Sequence, residues 1–372
     1  MGVNIAMVDL KTQYLRLKTE IDAAISAVLE SSRFIGGKEV TRFSERLCAY
    51  LNVQHSITCG NGTDALQIAL MALDLRPGDE VIVPAFTYIA PVEVIALLGL
   101  KPVLVDVKPD TFNIDPDVLV AAINSKTKAI IPVHLFGQSA DMASIMNIAK
   151  KHGLKVVEDN AQSIGTRFEG KHTGTLGDIG CISFFPSKNL GAYGDGGALT
   201  TNDSGLAARL KSICSHGQYS RKYYHDEIGV NSRLDALQAA ILNVKLGHLD
   251  DFVAARRSVA AAYDKALNDV ADITIPFRTA SSTHVFHQYT LKIKAGKRDA
   301  LKAYLSEQGI PSMIYYPMPI YTQRAYTNEF PATIHLPVTE QLCQEVLSLP
   351  MHTEMTEDQI EYIIHHVKQF FS

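Results

Sequence analysis

From Val53 to Thr201 short apolar, β-branched runs alternate with helix-patterned segments, and this alternation narrows the possible folds more than any other feature of the chain. The runs are EVIVPAF (80–86), KPVLVDV (101–107), KAIIPVHLF (128–136), LKVVED (154–159), CISFFP (181–186) and GALTT (197–201). Strands that are apolar on both faces must be covered on both. The pattern therefore predicts an α/β architecture, a mainly parallel sheet flanked by helices. Ligands of such sheets gather at the carboxyl ends of the strands.

The stretch from Arg233 to about Ala266 has few breakers and reads as a long helix or helix pair leading out of the sheet. Beyond it lie a strand-like QYTLKI (288–293), a helix near 297–308, and a closing helix with Ile360, Ile363, Ile364, Val367, Phe370 and Phe371 on one face. A chain of 372 residues outgrows a single core. The expected division is a large α/β domain over 1–250, with an N-terminal helical segment, and a smaller α+β domain over 251–372. There is no internal repeat and no low-complexity segment.

A net charge of -4, with no block of Lys and Arg, offers nothing that could track a phosphate backbone, so nucleic acid is not an expected partner. No apolar run reaches membrane-spanning length. The start, MGVNIA, lacks the apolar core of a signal peptide, and Ala6 breaks the myristoylation pattern. Cys48, Cys59, Cys181, Cys214 and Cys343 form no CxxC pair and read as reduced, buried thiols of a cytoplasmic protein. His284, His287, His365 and His366 have no acidic or thiol partner at ligand spacing, and HExxH is absent, so no metal is expected.

Three segments at strand ends carry chemistry. Asn61-Gly62-Thr63-Asp64 follows an apolar segment and opens a strong helix, whose free N–H groups could cradle a phosphate. Taken alone, this tetrapeptide is more often an ordinary turn and N-cap. In Glu158-Asp159-Asn160-Ala161-Gln162, a strand-end carboxylate could keep a pyridine nitrogen protonated, with an amide beside the ring's phenolic oxygen; Asp159 could equally be a helix cap. Ser183-Phe184-Phe185-Pro186-Ser187-Lys188-Asn189-Leu190-Gly191 puts Lys188 between an aromatic strand and the Gly-rich GAYGDGGA (191–198). A lysine partly removed from water loses basicity and can form a Schiff base with an aldehyde. The Gly run lacks GxGxxG spacing and precedes a strand, which excludes a dinucleotide loop.

Taken in order, NGTDAL, EDNAQS, SFFPSKNLGAYGDGGA and GVNSRLDALQAAIL (229–242) resemble the DegT/StrS family of nucleotide-sugar aminotransferases, over nearly the whole chain. The pattern is nearest to members that act on 3-oxo sugars. The resemblance implies fold type I, the aspartate aminotransferase-like fold, with pyridoxal 5'-phosphate as cofactor. It implies Lys188 as the Schiff-base lysine, Asp159 on the pyridine nitrogen and Gln162 beside the phenolic oxygen. Gly62, Thr63 and Ser183 would hold the cofactor phosphate, and Tyr88 would stack on the ring. Asn231 and Arg233 would reach the neighbouring subunit's site in a homodimer. The nucleotide-linked keto sugar would lie between MIYYPMPIY (313–321), FIGG (34–37) and the loop 216–228, touching Tyr315 and Tyr316. L-Glutamate would be the donor, and the product would serve polysaccharide or glycoconjugate synthesis.

Two positions depart from the family's pattern. Tyr315-Tyr316-Pro317 stands where relatives acting on 3-oxo uronates or deoxy sugars often have His-Tyr-Pro, which removes an imidazole from the reach of a substrate carboxylate. Pro91 replaces a more usual Thr. Arg221, Lys222, Tyr223, Tyr224 and His225 are either a surface loop or a contact to the substrate diphosphate. Two rival activities on the same fold fit these residues less well. A deoxysugar dehydratase would replace the Schiff-base lysine, commonly with histidine. A non-catalytic regulator on the same fold would not need Lys188, Asp159 and Gln162 together.

Overall fold

In the computed structural model, which describes residues 4–372, all six apolar runs enter one sheet. The strands are β1 (His55–Cys59), β2 (Glu80–Pro84), β3 (Lys101–Val105), β4 (Thr127–Ile130), β5 (Lys155–Asp159), a small hairpin of β6 (Arg167–Phe168) and β7 (Lys171–His172), then β8 (Ile179–Ser183) and β9 (Gly197–Thr201). The seven-stranded sheet has the order β1-β9-β8-β5-β4-β2-β3. Only β9 runs against the rest, because it pairs antiparallel with both β1 and β8 while all other pairs are parallel. Every residue of β8 and β9 is buried, which is why these strands read as continuous rather than alternating apolar sequence. The start of MGVNIA, residues 1–3, lies outside the described residues.

The run 128–136 gives a shorter strand than its sequence suggests, ending at Ile130. Pro132 has no N–H to donate, and the chain beyond it turns its remaining groups to β5: His134 N–H donates to Asp159 O at 3.0 Å. Phe136 then adopts φ 55°, re-aiming the backbone toward the strand ends.

The segment after Arg233 is a helix pair, Ala236–Leu246 and Leu249–Leu267. The second helix spans two cores. Leu249 and Val253 pack with the sheet, whereas Val259, Ala260, Tyr263 and Leu267 pack under a second sheet of β10 (Ile273–Thr274), β11 (Tyr289–Ile293) and β12 (Val346–Leu349), all antiparallel. The closing helix Glu357–Phe371 starts with a capping box, Thr356 and Gln359, and buries Ile363 and Val367 completely. Each such side chain contributes about 1.5–3 kcal/mol. Ile320, Tyr321 and Phe330 return to the large core, so the C-terminal half is bound back to the sheet that holds the site. Among the described residues no helix is long and apolar enough to cross a membrane.

Candidate active site

The carboxyl ends of β1, β5 and β8 lie side by side, and the reversed β9 begins between two of them, Gly197 pairing with both Cys59 and Ser183. A Cβ on Gly197 would come 2.4 Å from Asn61 O. That close crossing accounts for a glycine at the end of the Gly-rich run. Asn61 caps the helix Gly62–Met71, its Oδ1 accepting from Asp64 N–H at 2.8 Å. Gly62 approaches β8 so tightly that a Cβ would sit 2.6 Å from Ser183 Cβ. The capping reading of this turn is therefore realised. Asn61, Gly62, Thr63 and Ser183 nevertheless all line one cavity, so the free amides of the first turn face space that can take an anion.

That cavity, about 660 Å³, is also lined by Asp159, Gln162, Lys188, Tyr88, Tyr315 and Tyr316. Lys188 follows a tight turn closed by its own N–H to Phe185 O at 2.8 Å. Among the described residues its Nζ has no hydrogen-bond partner. Burial pulls the amine down to about 8, against the opposing pull of Asp159. Asp159 is held at the end of β5 by its N–H to Pro132 O at 2.9 Å, and its Oδ1 accepts Ala161 N–H at 3.0 Å. Burial raises its carboxyl above the ordinary value; the Ala161 hydrogen bond, Lys188 and His134 pull the other way.

Gln162 is oriented from both ends. Its Oε1 accepts Phe136 N–H at 2.9 Å, and its Nε2 donates to the Tyr316 hydroxyl at 3.1 Å. Tyr316 packs against Phe86 and Tyr88, ring centroids 6.0 and 6.3 Å apart, and burial holds its hydroxyl above the ordinary phenol range. Tyr88 is exposed and Tyr315 half-buried at the cavity's edge.

Asn231 and Arg233 are not brought to this cavity. Both are exposed, while Ser232 between them points inward, donating to Asp64 Oδ2 at 2.6 Å and accepting Gly60 N–H at 2.8 Å. Extended backbone sends alternate side chains to opposite faces, so anchoring Ser232 inward turns its two neighbours outward.

Sequence reading missed a buried pair beneath Asp159. Glu158 accepts from Gly174, Leu176 and Gly177 N–H at 2.8, 2.6 and 2.7 Å, and from His134 Nε2 at 2.8 Å. His134 Nδ1 accepts Ala140 N–H at 3.1 Å, which assigns the ring proton to Nε2. The pair fixes the strand end that carries Asp159. His287 also lines the cavity unforeseen, its imidazole kept well below the ordinary range by burial, with Lys188 and Arg256 adding to the effect. His284 instead stacks on Phe286 at 3.9 Å. Among the described residues no group of three or more His, Cys, Asp or Glu could hold a metal ion.

The residues present fit pyridoxal phosphate. An unpartnered amine, a carboxylate raised by burial and free helix amides line one cavity of the volume usual for such ligands, roughly 300–1,000 Å³.

Residues 16–368 match the DegT/DnrJ/EryC1/StrS aminotransferase family. The chain is 49% identical over 371 residues to the pleiotropic regulatory protein of Geobacillus stearothermophilus, with 99% of each chain covered. It is 47% identical to the UDP-2-acetamido-2-deoxy-3-oxo-D-glucuronate aminotransferase of Pseudomonas aeruginosa, covering 96% of this chain and 98% of that one. Among solved structures, Streptomyces venezuelae DesV in complex with a ketimine intermediate superposes with a TM-score of 0.96 at 39% identity, over 99% of both chains.

Proposed function

The chain belongs to the DegT/DnrJ/EryC1/StrS aminotransferase family and is a pyridoxal 5'-phosphate-dependent aminotransferase of nucleotide-linked keto sugars; within that family we propose that it aminates C3, with L-glutamate as donor. The observation that carries the reading is Lys188, an amine without a partner, lowered to about 8, in the same cavity as Asp159.

Bound there, pyridoxal phosphate supplies a protonated ring that accepts the electron pair left when a carbon next to nitrogen loses its proton. The amides at Gly62 and Thr63, with the Ser183 hydroxyl, hold its phosphate. Asp159 keeps the ring nitrogen protonated, a role that suits a carboxylate whose burial needs an opposing cation. Gln162 would present its remaining Nε2 proton to the ring's phenolic oxygen, because Phe136 N–H holds the Oε1 end of the amide. Tyr88 covers the ring. Lys188 Nζ would hold the cofactor at rest, would take the α-proton of the donor once released, and would return a proton to the sugar carbon that bore the keto group. The 2-oxo acid leaves before the sugar enters, which is ping-pong kinetics.

Asn231 and Arg233 complete the partner's site in a homodimer. Support for this comes from their exposure in the single chain, with Ser232 anchored between them. Tyr315 and Tyr316 contact the sugar. The five thiols are all free, which fits a reducing cytoplasm; the product would serve surface polysaccharide, lipopolysaccharide included, or another glycoconjugate. A non-catalytic regulator, the kind of role named for the Geobacillus relative, would not need Lys188, Asp159 and Gln162 in one cavity. Mixing purified protein with L-glutamate separates the two, since only the aminotransferase releases 2-oxoglutarate and loses its visible absorbance. A nucleotide-linked 3-keto sugar then restores that absorbance. Failure to release 2-oxoglutarate would sink the proposal.

A further inference from the structure

His287 lines the same cavity as Lys188 and stands in the segment 285–288, just before β11. Hydrogen bonds from several directions fix this segment. Asn189, the residue after Lys188, donates from Nδ2 to Val285 O at 3.0 Å. Phe136, whose N–H holds Gln162, accepts Gln288 N–H at 3.3 Å, and Gly137 accepts Val285 N–H at 2.8 Å. Arg256 Nη1 donates to Phe286 O at 3.0 Å. Gly137 lets the two stretches close on each other: at its φ of 107° a Cβ would lie 2.7 Å from Phe286 N and 2.9 Å from His287 N. His287 is thus held in place by residues that adjoin Lys188 and Gln162.

The residue is 6% exposed, and its Nδ1 is buried without a partner among the described residues. The edge of the ring that lines the cavity is then the one that carries Nε2. Buried N–H groups without an acceptor are rarer than buried acceptors without a donor, which assigns the single proton of the neutral ring to Nε2. A donor N–H therefore faces the cavity. Of the residues lining it, only Lys188 and His287 can carry positive charge, against the carboxylates of Asp159 and Asp195. An amino acid enters with a carboxylate on the very carbon that must give up its proton. Lys188 would be engaged with that proton, so the carboxylate needs a different donor.

Resting on the aminotransferase reading above, we propose that His287 binds the α-carboxylate of the amino-acid donor through its Nε2–H. Water can accept the same N–H at rest. A carboxylate displaces it because the bond becomes charge-assisted and the anion brings no proton that needs an acceptor. Holding the carboxylate also holds the α-carbon, and so decides which of its bonds is turned toward Lys188. His287 is by this assignment a residue that selects amino acids over simple amines. Arg233, proposed to arrive from a neighbouring chain, is the competing cation.

The protein carrying its cofactor is to be titrated with two probes while the visible absorbance is followed. One is α-methyl-L-glutamate, which keeps the α-carboxylate but has no α-proton to lose; the other is 4-aminobutyrate, the skeleton of L-glutamate without that carboxylate. In His287→Leu the dissociation constant for α-methyl-L-glutamate should rise about 10-fold or more, while that for 4-aminobutyrate and the resting spectrum stay as in the wild type. His287→Gln, which again offers an N–H, should recover most of the loss. A merely structural role would weaken both probes alike. Equal weakening of both, no change for either, or the whole effect appearing in Arg233→Ala and none in His287→Leu would each overturn the proposal. If neither His287 variant folds, a crystal structure of the wild type with α-methyl-L-glutamate decides: an α-carboxylate oxygen within hydrogen-bonding distance of His287 Nε2 supports the assignment, and a carboxylate bound elsewhere overturns it. A wild type without any visible absorbance would be the separate failure of the aminotransferase reading, and the proposal would fall with it.

Discussion

The side-chain amide of Gln162 donates to the Tyr316 hydroxyl at 3.1 Å, joining the strand end that carries Asp159 to the segment that brings tyrosines over the cavity. Since the Tyr316 oxygen accepts this bond, its own proton is free to be donated into the cavity. Tyr316→Phe should keep the fold and the attachment of cofactor to Lys188 but lower kcat by about 5- to 10-fold, the value of one such hydrogen bond. Single-turnover kinetics alongside the visible spectrum test this, and an unchanged rate would remove the hydroxyl from the reaction.

Gly62 permits the contact between the helix Gly62–Met71 and β8. Gly62→Ala places a methyl 2.6 Å from Ser183 Cβ, so helix and strand must separate. The expected cost is about 1–3 kcal/mol of stability, with weaker retention of cofactor if the cavity-lining amides of Gly62 and Thr63 hold its phosphate, since they move away from Ser183. Urea unfolding and dialysis of bound cofactor measure the two effects separately.

These two predictions mark what the sequence could and could not convey. Lys188 and Asp159 were legible because parallel strands deliver their chemistry at carboxyl ends, and both residues stand where such runs stop. The pairing of Glu158 with His134 was not legible. The two lie 24 residues apart, and their contact depends on β4 and β5 being adjacent, which no local pattern specifies. The run 128–136 was overread as strand because apolar continuity hides the turn that begins at Pro132. GAYGDGGA was excluded as a nucleotide loop, yet the reason for a glycine at its end, passage of β9 within touching distance of Asn61, needed the folded backbone.

Lys188 makes the stability of the cofactor-free protein depend on pH. Unfolded, a lysine titrates near 10.5; in the cavity burial lowers this to about 8. Between those values the unfolded chain holds a proton that the folded chain has released, so stability rises with pH through this window. Below pH 8 both states are protonated and the full penalty is present. Lys188→Met should therefore stabilise the cofactor-free chain at pH 7 by on the order of 1–2 kcal/mol, after allowance for partial exposure, and the gain should vanish by about pH 10.5. Urea midpoints for both proteins across that range provide the measurement; a gain constant with pH would mean that Lys188 is not lowered. The same variant, like Lys188→Ala, should lack the visible absorbance and all turnover.

Asp159→Asn should retain cofactor, since Lys188 and the residues proposed to hold the phosphate are untouched, but slow removal of the donor's α-proton by about 10³-fold or more. A neutral amide cannot keep the ring nitrogen protonated. Stopped-flow mixing with deuterated and ordinary L-glutamate should also give a larger isotope effect in the variant, because proton transfer has become slower than the other steps. Near-normal single-turnover rates would remove Asp159 from the mechanism.

Asn231 and Arg233 lie outside the cavity of their own chain, and the proposal that they serve a partner's cavity can be decided by counting sites. In a two-fold dimer each site would combine Lys188 of one chain with Asn231 and Arg233 of the other. A hybrid of a Lys188→Ala chain with an Asn231→Ala, Arg233→Ala chain then contains one site with every residue intact and one carrying both defects. About half the native activity should return on mixing the two inactive parents, by the symmetry of two equivalent sites. If each chain instead completes its own site, both sites in the hybrid are damaged and mixing restores nothing. Isolation of the hybrid through two different affinity tags, followed by assay at saturating L-glutamate, distinguishes the two arrangements without requiring the identity of the sugar, because release of 2-oxoglutarate in a single turnover reports each intact site.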